Sequence, residues 1–247
     1  MENIYTRTRM LVGDDGIERL ASASVAVFGL GGVGSYALEA LARAGVGRLI
    51  LVDGDVVAPS NVNRQLIATE STVGMRKTDV AAARVREINP SAKIETYDLF
   101  YSAETADDVP LSGVDFAVDA IDTVRSKLEI IKRCDALGVG LISCMGTGNK
   151  LDPTRLEIAD IYKTSVCPLA REMRRLCRRE GIAALKVLYS KEEPRRPIVS
   201  DTEGDKGESD ASLPQISKRC PPGSISFVPS VAGLIIAGEI IRTITGV

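Results

Sequence analysis

The sequence contains no histidine. This absence excludes a Ser-His-Asp relay, a histidine general base and a histidine metal ligand. Cysteines are few and odd in number, and no two are spaced as C-x-x-C: Cys134, Cys144, Cys167, Cys177 and Cys220. The spacing predicts neither a zinc site nor a thioredoxin-like pair, and it favours reduced thiols and a cytoplasmic location.

No excess of either charge is present, since 31 Lys and Arg face 33 Asp and Glu over 247 residues. This balance argues against a nucleic-acid coat over the whole surface but allows a local basic patch. Residues 1–5 lack the basic flank of a signal peptide. The apolar run Ile225–Ile244 is interrupted by Glu239 and Arg242, so it predicts a buried closing helix over about 228–244 and no membrane span.

Strand-like and helix-like patterns alternate along the first 150 residues. Short helices are expected before residue 24, strands at 25–28, 48–52, 93–97, 116–119 and 141–144, and helices after 33 and over 77–88 and 123–137. This alternation predicts an α/β fold with a Rossmann-like, doubly wound, mainly parallel sheet. We expect one domain over 1–247, with a nucleotide-binding core at about 22–150 and a basic, partly mobile elaboration at about 151–224. Residues 201–212 have almost no apolar side chains and predict a mobile loop.

A glycine-rich turn follows the first predicted strand and opens a helix: Gly29-Leu30-Gly31-Gly32-Val33-Gly34. Glycines at such a turn let an anion approach the backbone amides and the positive end of the helix dipole. Asp53 ends the next strand, where a carboxylate can accept both ribose hydroxyls. These features predict a nucleotide site, with NAD as the default ligand and a turn without a ligand as the simpler alternative.

Three further residues favour a triphosphate over NAD. A triphosphate carries more negative charge than a dinucleotide and normally a magnesium ion, so it needs basic side chains and a carboxylate. Arg64, Lys77 and Asp122 provide that set. Taken singly, they could be a solvated arginine, a surface lysine and a cap of the helix that begins at 123. A dehydrogenase is also disfavoured because no Y-x-x-x-K motif occurs.

Five separated motifs agree in order and spacing with the ubiquitin-activating-enzyme-like superfamily of the ThiF/MoeB/HesA type. They are the glycine turn, Asp53-Gly54-Asp55, Ser60-Asn61-Val62-Asn63-Arg64-Gln65, Gly74-Met75-Arg76-Lys77 and Asp119-Ala120-Ile121-Asp122. The resemblance covers residues 9 to 150 and implies adenylation of a carboxylate with ATP.

The same resemblance implies residue roles. Gly29, Gly31, Gly32, Gly34, Asp55 and Gln65 would line the ATP site; Asp53 would hold the ribose; and Asn61, Arg64 and Lys77 would hold the phosphates. Asp122 would bind Mg²⁺ and stabilise charge as pyrophosphate leaves. Arg9 would reach the phosphates in the other subunit, which implies a homodimer.

Other motifs resemble the tRNA threonylcarbamoyladenosine dehydratase family more closely. They are Ile88-Asn89-Pro90, Asp152-Pro153-Thr154, Asp160-Ile161-Tyr162-Lys163-Thr164 and Pro168-Leu169-Ala170. This family implies ATP-dependent closure of the threonylcarbamoyl carboxylate on tRNA to a cyclic oxazolone. The ureido group of the same side chain attacks the activated carboxylate, so no enzyme nucleophile is required.

A basic segment fits a tRNA partner. Residues 163 to 200 hold ten Lys and Arg against four Glu. The spacing of Arg171, Arg174, Arg175 and Arg178 would place them on one helix face, for tRNA phosphates or simply for solvent.

Two other functions remain open. The first is activation of a ubiquitin-like or sulfur-carrier protein, although activators of this kind usually carry two C-x-x-C pairs. The second is a non-catalytic nucleotide-binding scaffold. Cys220 precedes Pro221-Pro222-Gly223 and could accept sulfur or an acyl group, because related enzymes can work with a cysteine desulfurase.

Overall fold

The computed structural model describes residues 3–198 and 222–247, so the loop predicted at 201–212 and Cys220 lie outside the described residues. The helices are α1 (Thr6–Ser22), α2 (Gly34–Ala44), α3 (Lys77–Ile88), α4 (Val124–Leu137), α5 (Pro168–Arg179) and α6 (Phe227–Thr245). The strands are β1 (Ser24–Phe28), β2 (Arg48–Val52), β3 (Lys93–Tyr97), β4 (Phe116–Asp119), β5 (Gly140–Cys144), β6 (Leu156–Asp160) and β7 (Lys186–Ser190).

The seven strands form one sheet in the order β3-β2-β1-β4-β5-β7-β6. All neighbouring pairs are parallel except β6 and β7, which are antiparallel. The chain moves outward from β1 to β3 and then returns to place β4 on the other side of β1. A topological switch point therefore lies between β1 and β4, where open α/β sheets bind ligands. The predicted fold class is confirmed.

Hydrophobic core packs against both faces of the sheet. Alternate side chains of β1 point into the two parts of this core. Val25 and Val27 are fully buried in the cluster that includes α2 and α6. Ala26 and Phe28 are fully buried on the opposite face, with residues of α4. Because successive side chains of a strand point to opposite faces, a strand covered on both sides must be apolar throughout.

Helix α6 closes the face that carries α2. It is the one helix in the described ranges that is long and apolar enough to cross a bilayer. Its buried residues Ala232, Ile236 and Ile240 join the core cluster of α2, so packing accounts for its apolar face. The contact is close: a Cβ on Gly233 would lie 2.3 Å from the carbonyl oxygen of Val33.

Two features differ from the sequence pattern or refine it. The predicted short N-terminal helices are the two parts of α1, which bends at Gly13, where φ is +74°. Strands β6 and β7 were not predicted. β6 is a five-residue edge strand whose residues after Leu156 are only partly buried, so it lacks a continuous apolar run.

Candidate functional site

A cleft of about 800 Å³ opens at the carboxyl ends of the strands, above the switch point. It is lined by residues from the loops after β1, β2, β3, β4 and β5 and from the segment before α6. Ten of the predicted site residues share this cleft: Gly29, Gly31, Gly32, Asp53, Asp55, Asn61, Arg64, Gln65, Lys77 and Asp122.

Two glycines of the turn are required by the backbone itself. Gly29 has a φ of +85°, a conformation that side chains disfavour. Gly34 begins α2 so close to the turn that a Cβ on it would lie 1.8 Å from the carbonyl oxygen of Gly29. Gly34 therefore lies beneath the cleft and not in its wall. The close approach brings the amino end of α2 to the cleft, where it favours anions.

Asp53 ends β2 and is held by two backbone amides. Leu30 N–H donates to its Oδ2 at 2.7 Å, and Asp55 N–H donates to its Oδ1 at 2.9 Å. Burial raises the pKa of Asp53, while the Lys77 ammonium and both amides oppose this effect. The carboxylate is therefore fixed in one orientation at the cleft, with lone pairs left for a ligand.

Lys77 begins α3 and is buried in the wall of the cleft. Its Nζ donates to Asp55 Oδ2 at 2.8 Å and lies 3.8 Å from Asp53 Oδ1. Two carboxylates therefore hold one ammonium in place. The ammonium group is therefore already oriented before a phosphate binds, so phosphate binding costs less side-chain entropy.

Arg64 and Gln65 also line the cleft. Arg64 Nη1 donates to the carbonyl oxygen of Ser60 at 2.8 Å and to Asn63 Oδ1 at 2.9 Å. Gln65 is buried, and its Oε1 has no hydrogen-bond partner among the described residues. Buried polar atoms are nearly always paired, so this oxygen is suited to a donor from a ligand or a water.

Asp122 follows β4 and is exposed in the cleft. Its Oδ1 accepts a hydrogen bond of 3.4 Å from the Thr123 hydroxyl. Thr123, not Asp122, is the N-cap residue of α4, and no side-chain cap bond is formed there. The alternative that Asp122 merely caps a helix is therefore wrong. The described residues contain no group of three or more metal-binding side chains.

Arg9 lies on α1, outside the walls of the cleft. Its Nε is 2.7 Å from Asp14 Oδ1 on the same helix, without the angle of a hydrogen bond. The structure thus does not bring Arg9 to the nucleotide cleft of its own chain.

The arginines predicted to share one face of a helix divide into two groups on α5. Arg171, Arg175 and Arg178 are exposed, and Arg178 stacks over the ring of Tyr162 at 5.4 Å. Arg174 is half-buried, and its Nη1 donates to the carbonyl oxygen of Thr164 at 2.7 Å. Arg174 therefore ties α5 to the segment that precedes it. The other three of the four predicted arginines remain exposed.

Helix α5 also meets the cleft. Leu169, in its first turn, is one of the lining residues. Arg171 follows two positions later and is exposed. Because residues two positions apart on a helix point to nearly opposite sides, α5 contacts the cleft through Leu169 while its exposed arginines lie on the other side of the helix.

The described cysteines are all buried: Cys134, Cys144, Cys167 and Cys177. Burial raises the pKa of Cys134 and of Cys144 to about 12. Cys144 lines the cleft, but a thiol with this pKa is a poor nucleophile at neutral pH.

Several wall residues were missed by the sequence argument. They are Leu99–Ser102 after β3, Met145–Gly148 after β5, and Pro222, Ser224 and Pro229 before and within α6. The first two groups could have been inferred, because the carboxyl ends of parallel strands meet at one edge of a sheet. Nothing in the pattern of the third group indicated that it returns to the cleft.

The comparisons with known proteins agree with this geometry. The ThiF family model matches residues 5–247. A tRNA threonylcarbamoyladenosine dehydratase of Bacillus subtilis is 44% identical over 96% of this chain and 92% of its own length. Crystal structures of E. coli tRNA N6-threonylcarbamoyladenosine dehydratase, TcdA, resemble this chain in two complexes. The ATP complex has a TM-score of 0.85 at 29% identity, covering 98% of this chain and 93% of that one. The AMP complex has a TM-score of 0.83 at 30% identity, covering 97% and 93%. The chain belongs to the ThiF family and, within it, to the tRNA threonylcarbamoyladenosine dehydratases.

Proposed function

We propose that this protein uses ATP to activate the threonylcarbamoyl carboxylate of a modified adenosine in tRNA and closes it to the cyclic oxazolone. The observation that carries this proposal is the cleft itself, which brings Asp53, Arg64, Lys77 and Asp122 together. The Bacillus subtilis relative and the ATP and AMP complexes of the E. coli enzyme support it.

The cleft residues divide the work of binding ATP. Asp53 accepts the ribose hydroxyls, because amide donors already fix its orientation. The glycine turn, Asn61 and Gln65 surround the nucleotide, and Arg64 and Lys77 bind its phosphates. Asp55 keeps Lys77 extended toward the phosphates.

The reaction needs two displacements. The substrate carboxylate attacks the α-phosphorus of ATP, the bond to the β-phosphate oxygen breaks, and pyrophosphate leaves. The ureido group of the same side chain then attacks the acyl carbon, AMP leaves and a proton is lost, so the nucleoside loses one water overall. Arg64 and Lys77 stabilise the negative charge of the first step. The second step is intramolecular, which suits a protein without histidine.

The donor set at Asp122 fits a magnesium ion. Mg²⁺ binds through one or two carboxylates, with phosphate oxygens and waters completing its coordination. Asp122 offers one exposed carboxylate in the cleft. Its only side-chain hydrogen bond in the described residues, from the Thr123 hydroxyl, is long at 3.4 Å. Asp122 would hold the ion, which neutralises charge on the phosphates when bound.

We further propose that the protein is a cytoplasmic homodimer. Arg9 lies outside the cleft of its own chain, as expected of a residue that serves the partner subunit. A cysteine desulfurase is a proposed partner as well, and this proposal depends on Cys220, which lies outside the described residues.

The alternative substrate is the C-terminus of a ubiquitin-like or sulfur-carrier protein. It would use the same nucleotide chemistry, but it would not use the exposed arginines of α5, which would then face only solvent. A scaffold without catalysis would leave the paired Lys77 and exposed Asp122 unexplained.

The direct test is to incubate the protein with ATP, Mg²⁺ and threonylcarbamoylated tRNA and to weigh the released nucleoside. We expect the loss of one water with formation of AMP. An unchanged nucleoside mass would contradict the proposal, provided that the protein binds ATP. A carrier-protein C-terminus offered in place of tRNA tests the alternative.

A further inference from the structure

A buried ion pair lies beneath the floor of the cleft. Lys127, in the first turn of α4, and Asp119, at the end of β4, have fully buried side chains, and Nζ lies 3.0 Å from Oδ2. Neither residue lines the cleft. Burying two charges costs solvation energy that their attraction only partly returns. A hydrophobic pair of the same size would stabilise the fold at least as well, so stability alone does not explain this pair.

The pair ties together the ends of two neighbouring strands. Lys127 Nζ donates to the carbonyl oxygen of Cys144, the last residue of β5, at 2.7 Å. Ser143 Oγ donates to Asp119 Oδ2 at 2.5 Å. On the other side, the amide of Ile121 donates to Asp119 Oδ1 at 3.3 Å. One ammonium group and one carboxylate therefore hold the last residue of β5 and the start of the loop that leaves β4.

The loops that leave β4 and β5 both line the cleft. Residues 120–123, which follow β4, line it and include Asp122. Residues 145–148, which follow β5, line it beside Leu169 and the basic helix. The first loop carries Asp122, the proposed magnesium ligand, and the second packs on the start of α5, since a Cβ on Gly146 would lie 3.9 Å from that of Leu169. The buried pair thus sets the separation of these two loops.

We propose that Lys127 is a positioning residue for adenylation, acting through its bond to the Cys144 carbonyl. It fixes the loop 145–148 relative to Asp122, so that the substrate carboxylate is held in line with the α-phosphate. The proposal rests on the proposed function, since it assigns a role within that reaction. Misplacement of reacting groups by about 1 Å can cost a hundredfold in rate.

The test compares two double variants that both remove the buried charges. Asp119→Asn with Lys127→Met leaves no donor for the Cys144 carbonyl, whereas Asp119→Asn with Lys127→Gln retains an amide donor. Both avoid the unpaired buried charge that a single variant would create. We expect the Met pair to bind ATP within about twofold of wild type, while its kcat falls about tenfold or more. The Gln pair should recover at least about a third of the wild-type kcat.

Each outcome decides. Equal kcat values for the two pairs, or a wild-type kcat for the Met pair, would overturn the positioning role. If the Met pair does not fold, the Gln pair decides alone: near wild-type kcat supports the role of the donor, and a kcat as low as that of Asp122→Ala contradicts it. Ser143→Ala is the matched control, because it removes only the long 3.5 Å bond from Lys127 Nζ to the Ser143 hydroxyl and the hydroxyl bond to Asp119, and it keeps the Lys127 bonds to Asp119 and to the Cys144 carbonyl. Inactivity of the wild-type protein on threonylcarbamoylated tRNA would instead refute the proposed function.

Discussion

The carboxylate of Asp122 accepts a hydrogen bond from the hydroxyl of Thr123 at 3.4 Å, and this long contact does not fasten it to α4. Asp122 is exposed at the point where the loop after β4 enters the cleft. Its charge is therefore available to a ligand, and its removal should affect the reaction more than the fold.

Asp122→Asn keeps the size of the side chain and removes its charge. We expect kcat to fall by about a hundredfold or more, because the departing pyrophosphate loses its charge stabilisation. The melting temperature should remain within about 1 °C of wild type, as for most surface changes. Asp135→Asn, which changes an exposed carboxylate near the end of α4, is the control and should change neither quantity. Turnover like that of wild type would remove Asp122 from the mechanism.

Mixing two inactive variants tests Arg9 across a dimer interface. Arg9→Ala and Asp122→Ala subunits should each be inactive alone and should recover activity when they exchange. Half of randomly formed dimers would be hybrids with one intact site, so we expect about a quarter of wild-type activity. A monomer by light scattering, or no recovery after demonstrated exchange, would exclude an arginine shared between subunits.

Arg171 and Arg174 should respond differently to removal. Arg171→Ala should weaken tRNA binding and reduce the slope of log affinity against log salt by about one, if it contacts a phosphate. Arg174→Ala should instead lower the melting temperature, since it loses the bond to Thr164. Arg43→Ala, on α2, is the exposed control. Equal tRNA affinities for the Arg171 and Arg43 variants would contradict the assigned tRNA surface.

Glu95 should make stability depend on acid pH. Glu95 lies on β3, and its carboxylate accepts hydrogen bonds from Arg48 and Lys93. These bonds lower the pKa of Glu95 from 4.5 to about 2. A lowered pKa in the folded state gives stability that is present above pH 4.5 and is lost as the pH falls toward 2. We therefore expect Glu95→Gln to cost about 1–2 kcal/mol at pH 7, after allowing for solvent screening. Urea unfolding at pH 7, 5 and 3 measures this, and a difference that does not shrink at pH 3 would disprove it.

Most of the fold up to residue 144 was predictable because β1, β2 and β4 are largely buried on both faces. Such strands have continuous apolar runs, and the predicted bounds of 48–52 and 116–119 coincide with β2 and β4. The predicted bounds of 93–97 also coincide with β3, although β3 is an edge strand whose residues are partly buried or exposed. The glycine turn was predictable because its backbone excludes a Cβ at Gly34. Strand β6 was not predicted because four of its five residues are only partly buried and it therefore lacks a continuous apolar run.

The fate of individual charged residues was not predictable from spacing. Arg171 and Arg174 lie one turn apart on α5, yet one is exposed and the other bonds Thr164. Lys127 reads as an ordinary helix lysine, yet it is fully buried against Asp119. Burial of a charge depends on which strand ends lie beneath it, and that is decided by tertiary packing.

The close packing of α6 on α2 has a consequence for synthesis. The glycine turn and α2 are made early, while α6 follows α2 by about 180 residues. Until Gly233 meets Val33 and Pro229 reaches Gly32, one wall of the cleft is missing. A ribosome-bound chain that already contains every residue of the ATP motifs would therefore lack a finished pocket. Nucleotide binding would begin only after the helix that bears none of those motifs has docked.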